Sequence, residues 1–141
     1  MLYEEATLHG NNRNVPVFRL RVAQHYLAAG RLDEAMARLP ASAAECGGHA
    51  YEWEQTQIAL LRALGRTSEL REALWNQFRA SPGARELSAW LDTAPAAEHP
   101  AMVERARAEV LADRHPPAVQ ARYFLEAGDT DTAARCIMAR L

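Results

Sequence analysis

The chain carries only two cysteines, Cys46 and Cys136, 90 positions apart, too few for the disulfide framework of a small secreted domain. Buried, reduced thiols are expected instead. An excess of one charge sign is also missing: 16 basic residues face 18 acidic ones, for a net charge of −2. No unbalanced field exists to drive binding to nucleic acid or to an anionic membrane. No stretch approaches ~18 consecutive apolar residues, so no membrane-spanning helix is expected. The opening segment MLYEEATLHGNNRN has no basic stretch followed by an apolar one, so no secretory signal is read there. A reducing cytoplasm is the expected compartment. Val and Ile are sparse and never alternate with polar residues over a strand's length, which argues against a sheet. Without strands there is no strand-borne glycine loop to cradle a phosphate.

What the chain has in abundance is Ala, Leu, Arg and Glu, the strongest helix formers. It also has a recurring arrangement: a bulky apolar residue, Gly four positions on, then Ala or Leu five further. The copies are Tyr26/Gly30/Ala35, Leu61/Gly65/Leu70 and Phe124/Gly128/Ala133. A fixed offset repeated at long range marks stacked helical hairpins. Gly65 follows Gly30 by 35 residues and Gly128 follows Gly65 by 63, about two units of the ~34 residues such hairpins occupy. The expectation is a single helical-repeat domain over 1–141, with four hairpins at about 15–46, 50–80, 84–114 and 116–141.

In the first hairpin a polar turn at 10–14 precedes Pro16, which suits a first helical turn. Phe18, Val22, Tyr26 and Leu27 share a face, Gly30 ends the helix, and Asp33 opens the return helix. Pro40 makes that return helix short or bent, and Cys46-Gly47-Gly48 breaks to the next unit. In the second, Trp53, Ile58 and Leu61 lead to Gly65, Thr67 or Ser68 caps, and Leu70, Leu74, Trp75 and Phe78 follow. The third lacks the Gly, closes at Thr93-Ala94-Pro95, and sends its second helix from about Glu98 to Arg114. The fourth turns at Gly128 with Thr130 or Asp131 as cap. Trp53, Trp75, Phe78 and Trp90 recur at helical spacing and are read as core.

These residues resemble a tetratricopeptide-type repeat, whose pattern has an aromatic residue, Gly four on and Ala nine on. Leu39, Leu74 and Ile137 stand where that pattern wants an apolar residue, and Pro82 where it often closes with Pro. The resemblance implies an all-α, tetratricopeptide-like α-solenoid of about four hairpins. Phe18 and Trp53 sit a position early, and the third unit matches poorly. The stretch LLRALGRTSELREALWNQF…ELSAWLDTAP also resembles a family of uncharacterised bacterial proteins with helical-repeat C-terminal regions, a likeness covering most of residues 10–141. Members of that family tend to be longer, which implies a truncated member or a fragment of a larger protein. The likeness implies the fold and no activity.

Candidates for chemistry are few. Cys46 and His49 sit three apart, yet zinc wants four ligands and no second pair has comparable spacing. Asp33/Glu34 and Asp129/Asp131 follow hairpin turns, where acids favour the helix dipole, and Glu52/Glu54 diverge on a helix. No catalytic residue, metal ligand or cofactor is expected. The leading expectation is a non-catalytic protein- or peptide-binding module. Its first helices would line a concave face with Arg21, Gln24, His25, Glu54, Gln57, Arg85 and Gln120 or Arg122. A homo-oligomerisation role through end helices, where Ile137 and Met138 are apolar, is the alternative, followed by a regulatory fragment of a larger protein.

Overall fold

The structure, a computed structural model, describes residues 15–112 and 114–139. Those residues form eight α-helices and two 3-10 segments, with no strand among them. The helices are α1 (Val15–Ala28), α2 (Leu32–Arg38), α3 (Ala50–Leu64), α4 (Thr67–Ala80), α5 (Ala84–Leu91), α6 (His99–Leu111), α7 (Pro117–Glu126) and α8 (Thr130–Met138). The 3-10 segments span Ala43–His49 and Ala96–Glu98. The polar turn read at 10–14 lies outside the described residues. No described helix is long and apolar enough to cross a membrane. The chain divides into two compact units between Leu70 and Arg71, within α4.

The repeated Gly offset has a hydrogen-bond origin, seen most fully at Gly128. With φ at +81°, Gly128 turns the chain so that its N–H donates to the Leu125 carbonyl at 3.1 Å. The Asp129 N–H then reaches the Phe124 carbonyl at 2.8 Å, completing a Schellman closure. The Asp129 carbonyl in turn accepts the Ala133 N–H at 3.2 Å, so one residue both closes α7 and caps α8. Phe124 is thereby fixed at the third position from one helix end and Ala133 at the fourth of the next. The same bond pairs close the Gly30 turn (Arg31 to Tyr26, Gly30 to Leu27) and the Gly65 turn (Arg66 to Leu61, Gly65 to Arg62).

This economy moves the helix starts. The sequence placed them at Asp33, at Thr67 or Ser68, and at Thr130 or Asp131; the capping residues are Arg31, Arg66 and Asp129 instead. Only Asp129 caps with its side chain, Oδ1 accepting the Thr132 N–H at 3.1 Å. The turn without Gly is held differently. The His99 Nε2 donates to the carbonyls of Leu91 (2.8 Å) and Ala94 (3.0 Å), covering the open end of α5. Helix α6 stops at Leu111 rather than near Arg114: Ala112 is extended, and the Gln120 amide takes the Val110 carbonyl at 2.9 Å. As expected, α2 is short, ending before Pro40. The glycine break that follows is a 3-10 segment interrupted at Gly47 and leading directly into α3.

Each unit has its own apolar centre. In the first, Leu20, Val22, Ala23 and Tyr26 of α1 pack with Ala35, Leu39, Cys46, Trp53 and Leu60. Trp53 is anchored by its indole N–H on the Pro40 carbonyl at 2.8 Å. In the second, an aromatic chain runs Trp90–Trp75–Phe78–Tyr123–Phe124, with successive ring centroids 4.5, 5.5, 5.7 and 5.1 Å apart. Such edge and offset contacts add about 0.5–1.5 kcal/mol each beyond area burial. Trp53, Trp75, Phe78 and Trp90 are therefore core residues, and both cysteines are buried and free.

Candidate functional site

In the first unit, α1 brings Arg21 and Gln24, three residues apart, against Glu52 and Thr56 of α3. The Gln24 amide donates to Glu52 Oε1 at 3.0 Å and to Thr56 Oγ1 at 3.2 Å. Arg21 pairs with the same Glu52 oxygen and donates to Gln24 Oε1 at 3.2 Å. His49 Nδ1 lies 3.2 Å from Glu52 Oε2. The Gln24 and Arg21 hydrogen bonds hold the Glu52 carboxyl below its ordinary range. Two of the residues expected on a binding strip thus come together, yet both are occupied by a carboxylate the sequence reading had set aside. His25 is exposed, and Glu54 and Gln57 are half-buried on α3. Cys46 is buried, and burial, with Glu45 and Glu52 nearby, pushes its thiol upward. That makes it a poor thiolate for a metal or a nucleophile.

The second unit holds a buried carboxylate, Glu109. Its Oε1 lies 3.3 Å from both Arg79 Nε and His115 Nε2, and Arg114 pairs with Oε2. Burial opposes its ionisation, but the His115 and Arg79 hydrogen bonds and the Arg114 charge outweigh that, and its pKa is lowered. This cluster ties α4 to α6 and to the segment before α7. Every Glu109 oxygen is engaged by a cation, which leaves no free base.

A groove of about 290 Å³ in the same unit is lined by Arg107 and Leu111 of α6, Gln120 of α7, Thr132, Arg135 and Cys136 of α8, and Ala139. Thr132, Arg135, Cys136 and Ala139 fall at i, i+3, i+4 and i+7, one helical face. Arg107 donates to Asp129 Oδ2 at 3.0 Å and to Thr132 Oγ1 at 3.2 Å, and its guanidinium lies 5.1 Å from the Phe124 ring centre. Arg135 donates to the same Thr132 oxygen at 3.2 Å. The Thr132 hydroxyl itself donates to Asp129 Oδ2 at 2.6 Å. Hydrogen bonds from Thr132 and Arg107 pull the Asp129 carboxyl down to about 2. Exposed apolar residues flank the groove helices: Val103 (38 %) and Leu111 (43 %) on α6, Ile137 (42 %) and Met138 (67 %) on α8.

Of the other expected strip residues, Arg85 is exposed on α5, and Arg122 reaches the Pro82 carbonyl at 3.4 Å and Glu126 at 3.8 Å. Gln120 is buried, its amide spent on the Val110 and Ala112 carbonyls, so it braces the groove wall rather than presenting a free donor. The sequence reading missed Arg107, Thr132 and Arg135. The Asp129-x-x-Thr132 spacing was a legible cap signal, but nothing local ties Arg107 to a residue 22 positions on.

The chain matches the model of a family of unknown function (DUF6880) over residues 6–141, and it belongs to that family. No curated protein and no solved structure matches it.

Proposed function

We propose that this chain is a non-catalytic protein-interaction module of tetratricopeptide-like hairpins, receiving a partner segment in the groove bounded by α6, α7 and α8. The observation that carries the reading is the groove itself: an open cleft with exposed Val103, Leu111, Ile137 and Met138 on its flanking helices. Of these, Leu111 lines the groove itself, and an exposed apolar side chain in an open cleft gains by being covered. The three identical Gly closures support the repeat reading, since hairpin modules of this kind bind through faces rather than through reactive side chains. The polar clusters support the non-catalytic part: Glu52, Glu109 and Asp129 are each engaged by cations or by hydroxyl and amide donors.

Selection of a random peptide library on the full chain tests this. Enriched peptides should bind the parent and lose at least tenfold in affinity on Leu111→Glu, with the far-ultraviolet spectrum retained. Peptides indifferent to Leu111→Glu, or no enrichment at all, refute it. A second reading, self-association through α8, is favoured by the exposure of Met138 and Ile137. Sedimentation velocity decides it: a monomer at tens of micromolar disposes of that reading, while a dimer abolished by Met138→Glu establishes it.

A further inference from the structure

Every one of the 16 basic residues of this chain is an arginine. Arg21, Arg31, Arg79, Arg107, Arg114 and Arg122 each form an ion pair with a carboxylate. Arg135 forms none among the described residues, although it lines the groove. Its one partner is the Thr132 hydroxyl, which it shares with the Arg107 guanidinium, each nitrogen 3.2 Å from the same oxygen. Two guanidinium groups are thereby drawn to one atom, and the only carboxylate bonded within the cluster is Asp129, already engaged by Arg107 and Thr132. The cluster holds two positive charges against one negative. Like charges at such separations are relieved by a second anion, and a guanidinium offers paired donors that match a carboxylate.

We infer that the groove anchors an acidic segment of a partner protein, a Glu or Asp carboxylate seated on Arg135 and Arg107 with an apolar neighbour against Leu111. The inference rests on the interaction reading above and specifies what that partner carries. The cleft is at the small end of ligand sites, sized for a side chain rather than for a large cofactor. Its lining suits such a segment: Leu111, Cys136 and Ala139 provide apolar wall, Thr132 a hydroxyl, and the arginines the charge. A nucleic-acid backbone is not favoured, because a chain of net charge −2 with two guanidinium groups here makes no extended basic track.

The probe is a fluorescein-labelled octapeptide with a central Glu flanked by Leu, compared with its Gln counterpart by fluorescence polarisation on the full chain. The Glu peptide should bind at least tenfold tighter, with the gap narrowing at high salt. Arg135→Gln should erase the difference and Arg135→Lys restore part of it, with an unchanged melting temperature, because Arg135 is an exposed residue. Equal binding of both peptides, both lost on Leu111→Glu, would overturn the carboxylate anchor while leaving the docking reading intact. Discrimination that survives Arg135→Gln would also overturn it, since the anchor would lie elsewhere. Inorganic phosphate displacing the peptide at equal concentration would make this a small-anion site and overturn the segment. Peptide binding competed by dimer formation would assign the groove to a second copy of the chain and overturn it likewise.

Discussion

Changing Gly128 to Ala adds one methyl group, and the Cβ it creates meets nothing within 4 Å. Sterically the substitution is silent, so its effect isolates the backbone. At φ +81° an L-residue crowds its own carbonyl, at a cost of about 1–2 kcal/mol. The stiffer unfolded chain returns about 0.4–1 kcal/mol. A net loss of about 1 kcal/mol is expected. Gly48 provides the control: a methyl there also meets nothing within 4 Å, and its φ is not left-handed. Gly48→Ala therefore keeps only the unfolded-state term and should stabilise by about 0.4–1 kcal/mol. The same chemical change thus differs in sign at two unobstructed sites, by about 1–2 kcal/mol overall, which is the left-handed strain itself. Gly128→Asn should fall between, because Asn tolerates the left-handed region better than Ala. Urea unfolding at 25 °C measures this, with tryptophan fluorescence following Trp75 and Trp90 in the unit of Gly128 and Trp53 in the unit of Gly48. If Gly128→Ala is as stable as Gly48→Ala, the Schellman account of the repeated Gly fails.

Two further outcomes concern the carboxylates. The folded pKa of Asp129 is about 2 against an ordinary 3.8, a depressed value, so its stabilising contribution is complete above the ordinary value and disappears as pH falls through the folded one. Urea midpoints should therefore drop between about pH 4 and 2, and Asp129→Asn should flatten that limb; an unchanged slope refutes the assignment. Glu109 shifts in the same direction, so the residual acid sensitivity of Asp129→Asn belongs in part to it. Glu109→Gln at neutral pH should cost about 1–2 kcal/mol, a hydrogen-bonded buried charge discounted because Arg79 and Arg114 stay about half in water. Arg79→Ala should cost under about 1 kcal/mol in the same assay, and a reversed order would show that the cluster is held from the arginine side.

The covalent order of the chain determined whatever acts over a few residues. Helix-forming composition, the Gly at the third, left-handed turn position, and the buried aromatics at helical spacing were all legible, because each follows from backbone geometry or from local amphipathicity. Even the misplaced caps at Asp33, Thr67 or Ser68, and Thr130 or Asp131 were local errors: the Schellman closure uses Arg31, Arg66 and Asp129 twice, leaving no spare residue between helices. Tertiary packing decided the rest. Gln120 reads as a polar surface residue until α7 docks on α6 and turns its amide onto the Val110 carbonyl. Glu52 reads as a solvated acid until Arg21 and Gln24 arrive from 28 or more positions away. Arg107 and Arg135 meet at the Thr132 hydroxyl only because α6 packs against α8. Side-chain polarity is written in the sequence, but whether a polar group faces water, a carbonyl or another charge depends on which helix covers it.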